Sequence, residues 1–280
     1  MGPLRTWLNR ETRILQRARS FESRANALYE RGSEAKSAAT FLRGLAFLEQ
    51  NRAAAKRLAP EYAATFASIG RGLFALGRTS EADRATTAAL ALDPANVDAL
   101  DCRGLLLAGR GNTDEARAAF TQALAVDPTR TEAWGNLGDL EYAVGQREAA
   151  VVAWSNVLRL DARDVDTYDK ILRIRPGEAD LWLRKADVTR ELERREESLA
   201  AYEQVLRLDP RRKEAWRGRA DVFLKFRQPD RALQSIEKAL EIDDEDASLW
   251  RTRSRVTTPR SGCTATTRTR GGNGRSLWRR

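Results

Sequence analysis

The sequence predicts an all-α protein, a solenoid of stacked antiparallel helix pairs, and three observations carry that prediction. Large apolar residues recur at one interval, thirty-four positions: it separates Phe66 from Leu100, Leu100 from Trp134, Trp182 from Trp216 and Trp216 from Trp250. A period of roughly 20–50 residues marks units that bury their apolar faces against one another. Within each period the apolar residues step by three and four, the helical spacing, and glycines such as Gly77, Gly111 and Gly145 interrupt the pattern midway. Lastly, Asp93-Pro94, Asp127-Pro128 and Asp209-Pro210 close the second half of a period. There a proline ring lacks a donor and collides with the preceding turn, which stops a helix.

Each element follows from local pattern. Residues 3–29 read as an amphipathic helix with Leu4, Trp7, Leu8, Leu15, Ala18, Phe21, Ala25 and Leu28 on one stripe and arginines on the other faces. Its expected role is to pack that stripe on the first repeat. Met1-Gly2 with Thr6 formally fits the myristoylation pattern, against which Pro3 argues. Gly32-Ser33 breaks the helix, a second one is expected over 34–58, and Pro60 is expected to close it. Residues 1–62 are thus N-terminal helices packing on the array.

Three full units are expected over 63–164, each a helix A and a helix B. Counted so that Trp134 is the fourth residue of its unit, positions eight and twenty are small: Gly70/Ala82, Gly104/Ala116, Gly138/Ala150, Ala186/Ser198 and Ala220/Ala232. Small residues there let helices A and B approach. A large residue at position four or twenty-four fills the space between units; Thr86 takes the latter slot in the first unit. Two further units occupy 179–246. Lys185 and Arg219 take the slot that Ile69 and Leu137 hold in earlier units, so looser packing is expected there.

Between the two blocks the spacing from Trp134 to Trp182 exceeds the period by fourteen positions. Segment 165–178 reads as a second copy of helix B, with Tyr168, Ile171 and Leu172 echoing Trp154, Val157 and Leu158. Ala162 stands where proline would stop the helix, so a single long helix over 148–174 is predicted. A truncated sixth unit begins at 247–256. Residues 257–280 form a basic tail with few large apolar side chains, for which disorder is expected. The abrupt change of composition reads as a frame-shifted or truncated end, with an Arg/Gly nucleic-acid-binding tail as the alternative.

Charge and composition bound the function. The 280 residues are 42% hydrophobic and 32% charged, with a formal net charge of +9. That excess sits at the ends. Residues 1–62 carry 12 basic and 6 acidic groups, whereas 63–178 carry 13 and 17 and 179–246 carry 15 and 17. Segment 247–280 carries 9 basic groups and no acidic one. The repeat body has no basic excess with which to hold a phosphate backbone. No run of apolar residues is long enough to span a membrane, no secretory signal is expected, and Cys102 and Cys263 match no metal spacing. A cytoplasmic setting with free thiols follows.

Histidine is absent, and with it the commonest general base and metal ligand. No nucleophile elbow, phosphate-binding loop or dinucleotide fingerprint occurs. Acidic runs such as Asp243 to Asp246 fall at unit boundaries, where helix capping explains them. No catalytic, cofactor-binding or metal site is expected.

The array resembles the tetratricopeptide repeat, with Trp-x2-Leu-Gly in helix A of the unit at Trp134, then Ala, an aromatic, Ala and Pro in helix B, over roughly 63–250. The resemblance implies a right-handed superhelix whose helices A line a concave groove that holds a peptide. Its groove positions fall on Phe74, Asp98, Asp101, Cys102, Leu105, Asn136, Asp139 and Tyr142, then on Arg184, Asp187, Arg190, Arg217, Asp221, Lys225, Arg251 and Arg255. The second set is predominantly basic, so an acidic segment is the implied ligand. Of the family's carboxylate clamp only Asn136 is in place; Ala67 and Arg71 stand at the expected Lys and Asn. The function this implies is a non-enzymatic scaffold for a partner polypeptide. The alternative is a nucleic-acid-associated protein working through its basic ends.

Overall fold

The structure, a computed structural model, describes residues 3–53 and 58–257, with side chains from Arg10 onward. Among these residues it contains fourteen helices and no strand, an all-α solenoid. The chain divides into two compact units, one ending at Pro176 and the other beginning at Gly177. The expectations for Gly2, Cys263 and the tail from 258 onward lie outside the described residues.

The first unit opens with α1 (Pro3–Glu30) and α2 (Glu34–Gln50). Ile14, Leu15, Ala18 and Ala25 of α1 are buried with Phe41, Leu45 and Leu48 of α2 and Phe66, Ile69 and Leu73 of the next helix. The buried residues of α1 thus pack against α2 and α3. Two boundaries differ. The second helix stops at Gln50 rather than 58, where the Asn51 side-chain amide donates back to the Phe47 carbonyl at 2.7 Å. Pro60 does not close a helix; it lies in the first turn of α3 (Ala59–Ala75), where its missing N–H costs nothing.

The α1/α2 hairpin is itself built on the repeat frame. Phe21, Ala25, Gly32, Ser37 and Phe41 hold the offsets of positions four, eight, fifteen, twenty and twenty-four. The Ser37 hydroxyl donates to the Ala25 carbonyl at 2.8 Å, and in the second unit Ser198 donates to the Ala186 carbonyl at 2.9 Å. Its aromatic Phe21 stands more than a full period ahead of Phe66, which hides the copy from a search at fixed interval.

Three regular pairs follow: α3 with α4 (Thr79–Leu92), α5 (Val97–Gly109) with α6 (Thr113–Val126), and α7 (Thr131–Ala143) with α8 (Arg147–Leu160). Each helix A ends in a Schellman turn around a residue of positive φ. At Gly111 the N–H bonds Ala108 O at 3.0 Å and the Asn112 N–H bonds Leu107 O at 3.0 Å. Each helix B ends at an aspartate whose side chain accepts from the amide two residues on: Asp93, Asp127, Asp161, Asp209 and Asp243, at 2.9–3.3 Å.

That aspartate explains why the long helix predicted over 148–174 does not form. Helix α8 ends at Leu160, and α9 (Val165–Ile174) starts afresh. Asp161 makes the same turn without a proline after it, and Asp164 caps α9 by accepting from Thr167 N at 3.2 Å and Thr167 Oγ1 at 2.8 Å. Nor does α9 copy helix B. Tyr168 is the fourth residue of α9 and lies one full period after Trp134. Its hydroxyl bonds the carbonyl six residues back, Ala162 O, at 3.2 Å; Trp134 reaches Pro128 O in the same way at 2.9 Å. Helix α9 packs on α8 as α12 packs on α11 and α14 on α13. It is a helix A on schedule, without a helix B of its own.

The second unit pairs α10 (Ala179–Glu191) with α11 (Arg195–Leu208) and α12 (Lys213–Lys225) with α13 (Pro229–Ile242), and α14 (Ala247–Thr257) packs on α13. At Lys185 and Arg219, where looser packing is expected, the cation lies over an indole ring. Lys185 is 8% exposed, and its ammonium lies 5.5 Å from the centre of the Trp182 ring. Arg219 lies 5.4 Å from Trp216 and Arg253 lies 5.2 Å from Trp250. In each the cation covers the indole face.

The small residue at position eight faces a different partner than expected. A Cβ on Gly104 would stand 2.4 Å from the Phe120 ring and one on Gly138 2.4 Å from Trp154. These glycines admit the position-twenty-four aromatic of helix B. A Cβ on Gly70 would likewise stand nearest the position-twenty-four side chain, 3.0 Å from Thr86 Oγ1, with the Ala82 carbonyl at 3.4 Å.

Candidate functional site

The proposed groove residues fall on the two units, and each set is described by itself. On the first, Asn136 of α7 donates to Asp101 Oδ1 of α5 at 2.8 Å. Asp101 is buried, which raises its pKa; the Asn136 hydrogen bond and nearby Arg130 and Arg71 partly offset that rise. Asp98 pairs with Arg71 at 3.2 Å and with Arg130. Cys102 does not face a groove. It is fully buried and accepts from Thr86 Oγ1 at 3.3 Å, and burial pushes its thiol up to about 11.

Asp139 and Tyr142 meet around Trp154. The indole N–H donates to Asp139 Oδ1 at 3.1 Å, and Lys170 of α9 donates to the same carboxylate at 2.6 Å. The Lys170 ammonium also lies 5.6 Å from the Trp154 ring centre, with the Tyr142 ring 5.6 Å away on it. Tyr142 is 40% exposed and the Asp139 side chain 53%.

On the second unit the ninth position is again aspartate, at Asp187 and Asp221. Asp187 accepts from Tyr202 OH at 2.6 Å, the counterpart of the Trp154–Asp139 bond at the same sequence separation. Arg190 bridges the two carboxylates, at 3.2 Å from Asp187 and 3.5 Å from Asp221. Burial raises the pKa of Asp221, against the pull of Arg190 and Arg217. Lys225 pairs with Glu193 at 2.9 Å.

The proposed residues therefore part into two sorts. Asn136, Asp139, Asp187, Arg190, Asp221 and Lys225 tie one helix A, or its following turn, to the next. Arg184, Arg217, Arg251 and Arg255 are exposed and make no ion pair among the described residues. Sequence reasoning missed Lys170, Trp154, Tyr202 and Glu193 as partners. The recurrent aspartate at position nine was the available signal: a carboxylate repeated in three units needs donors, and the aromatic at position twenty-four carries one. Among the described residues no group of three or more Cys, Asp or Glu side chains is arranged to hold a metal, and no helix is long and apolar enough to cross a membrane.

Comparison with known proteins bears on the repeats. Residues 107–168 and 183–247 each match a tetratricopeptide repeat family. Comparison with curated protein sequences gave no match. Among solved structures the chain is similar to the pilF protein of Pseudomonas aeruginosa, at 15% identity over 86% of this chain and 99% of that one, TM-score 0.43. It is also similar to a tetratricopeptide repeat protein from Parabacteroides merdae, at 16% identity over 87% and 100%, TM-score 0.40. A third is YrrB, a repeat protein with an unusual peptide-binding site, at 16% identity over 69% and 92%, TM-score 0.36. The repeated hairpins, their Schellman and aspartate turns and the two family matches identify the chain as a tetratricopeptide-repeat protein.

Proposed function

We propose that the protein is a non-enzymatic scaffold that holds a partner polypeptide against its helix-A faces, with the second unit preferring an acidic segment. A repeat fold of this kind supports a protein-interaction role in general. The observation that carries the finer reading is the division of the charged side chains. Those that link successive helices A are already paired, whereas Tyr142, Arg184, Arg217, Arg251 and Arg255 are exposed on the same helices. Exposed charge and aromatic surface on a rigid scaffold is the material of recognition. On this reading the protein acts in the cytoplasm, without cofactor.

Site-directed photo-cross-linking tests it. A photoreactive residue at Arg217 on α12 is expected to capture a cellular polypeptide after nuclease treatment, while one at Lys238, exposed on helix α13, captures none. Equal capture from Lys238 would refute the assignment of the face, and capture lost to nuclease would favour nucleic acid as the ligand.

A further inference from the structure

We infer that the seam between α1 and α2 is a second binding surface, on which Arg10, Arg17, Arg24 and Arg43 hold the phosphate backbone of a nucleic-acid duplex. The surface lies apart from the groove positions of the later helices, and the inference does not rest on the scaffold reading.

Helix α1 sorts its charges by side. Its arginines at 10, 17 and 24 stand seven residues apart. That interval nearly completes two turns, so they share one face with ~20° of drift per step. At a rise of ~1.5 Å per residue each step is ~10 Å, and the row is ~21 Å long. The row runs beside α2, since the Arg17 guanidinium lies 5.0 Å from the centre of the Phe47 ring. Arg43 is one turn before Phe47 on the same face of α2, which brings it to the same seam.

The acids nearby are turned elsewhere. Glu22 accepts from Ser68 of α3 at 2.5 Å, and Glu11 is buried where the Tyr62 hydroxyl of α3 meets its backbone carbonyl at 3.4 Å. On α2, Glu49 pairs with Arg84 of α4 at 2.7 Å. Glu30 and Glu34 flank the turn that joins the two helices, beyond the end of the row. Arg10, Arg17, Arg24 and Arg43 are exposed and make no ion pair among the described residues. The basic excess of residues 1–62, 12 groups against 6, thus leaves free cations along one line.

The surroundings of the row narrow the ligand. The outward side of α1 carries Gln16, Ser20 and Ser23, all exposed, while Ile14, Leu15, Ala18 and Ala25 are buried. Along this stretch no apolar face is left to enter a bilayer or to form the dry centre of a protein interface. Phe21 and Phe47 are partly buried with their rings tilted together at 5.9 Å, and Arg17 covers the latter. No open ring stands in the row to stack an unpaired base. Cations alone are the material of backbone binding, which holds nucleic acid without reading its sequence. A duplex keeps its bases stacked inside and its phosphates outside, and so meets those conditions.

The test follows a labelled duplex of mixed sequence on the full-length chain by fluorescence anisotropy, from about 50 to about 200 mM salt. The logarithm of the affinity falls linearly with the logarithm of salt, by about 0.9 for each phosphate neutralised. Arg17→Gln and Arg24→Gln should each flatten that slope by about 0.9, and the fourfold variant that adds Arg10→Gln and Arg43→Gln by about 3.6. Differences between variants read the row, whatever the other cations of the chain contribute. The same charge removed from exposed arginines elsewhere in the first unit, by Arg103→Gln, Arg147→Gln, Arg163→Gln and Arg173→Gln, should leave the slope unchanged. Lysine at the four seam positions keeps the charge and should keep the slope. Circular dichroism shows whether each variant retains its helices, and if the fourfold variant does not, the single substitutions still read the slope. No duplex binding, or a slope that the glutamine variants share with the parent, would overturn the inference. So would a single strand bound more tightly than the duplex. Poly-glutamate or phosphatidylserine vesicles bound as tightly as the duplex, and released by the same substitutions, would overturn it by assigning the row to an acidic protein or a membrane surface.

Discussion

In the first unit the residue that turns each helix A into its helix B is glycine, at Gly32, Gly77, Gly111 and Gly145, with φ between 69 and 82°. In the second unit Glu193 and Arg227 do the same work at φ 61 and 57°. The hydrogen bonds match: Arg227 N–H to Leu224 O at 3.1 Å and Gln228 N–H to Phe223 O at 2.8 Å repeat the Schellman pattern of Gly111. The aromatic at position twenty-four has two arrangements. Trp154 lies over Gly138 of its own repeat, whereas Tyr202 has Ala186 at that place and lies against Gly218 of the next helix A. Phe41 of the α1/α2 hairpin, with Ala25 at position eight, likewise lies against Gly72 of the next helix A, so the first unit holds both arrangements and Tyr202 repeats the crossing one. The frame is a set of backbone bonds, and the side chains that satisfy it are exchangeable at a cost.

The sharpest way to break the comparison is to fill these close approaches. A Cβ on Gly138 would meet the Trp154 ring at 2.4 Å and one on Gly218 the Tyr202 ring at 2.3 Å. Gly138→Ala and Gly218→Ala are each expected to destabilise by about 1–3 kcal/mol in urea unfolding, despite alanine's better helix propensity. Gly135 of the same helix α7 has nothing within 4 Å of a built Cβ. Gly135→Ala should therefore gain up to about 1 kcal/mol. If Gly138→Ala gains as much as Gly135→Ala, the aromatic does not dictate the glycine.

The fixed period made the helix pairs readable because it reflects what repeats, apolar burial. It concealed two copies. The α1/α2 hairpin carries Phe21, Ala25, Gly32, Ser37 and Phe41 in frame, but it stands out of phase with the rest, and α1 runs on ahead of it. Tyr168 was in phase with Trp134, yet its neighbours Ile171 and Leu172 also matched Val157 and Leu158 of helix B, since both helices bury residues at the same steps. Apolar periodicity cannot separate two helices with equal stripes; the turn chemistry of Asp161 and Asp164 could. At the candidate site the helix-A positions were legible, but which cations were free was not. Arg190 and Lys225 look like Arg184 and Arg217 in sequence. They differ only because Asp221 and Glu193, each nearly a full period away in the chain, are folded against them.

A smaller effect tests the turns themselves. A side chain in the left-handed region costs about 1 kcal/mol or more, and glycine returns part of that gain through the freedom of its unfolded chain. Arg227→Gly is expected to raise stability by up to about 1 kcal/mol, and Gly111→Ala to lower it by about the same amount. Glu193→Gly should gain less than Arg227→Gly, because it also removes the 2.9 Å pair with Lys225, an exposed contact of small worth. Equal gains at 193 and 227 would show that this pair contributes nothing.

The smallest effect contrasts two aspartates across a range of pH. Asp101 in the first unit is buried, and burial raises its pKa above the ordinary 3.8. Above the folded pKa the structure carries the cost of an ionised buried carboxylate, and that cost disappears as pH falls below the unfolded value. Asp246 in the second unit is the reverse. The Ser248 hydroxyl donates to it at 2.5 Å, with the Leu249 amide and Lys213 adding to the pull, and its pKa drops to about 2. Its stabilisation is complete above the unfolded pKa and is lost as pH falls toward about 2. Asp101→Asn should thus compare best with the parent protein near neutrality and lose that advantage as the solution is acidified. Asp246→Asn should compare worst near neutrality and converge on the parent as pH falls. Melting temperatures taken in steps from about pH 7 to about pH 3 read both trends, and two curves of the same slope would show that the two carboxylates are not held by opposite forces.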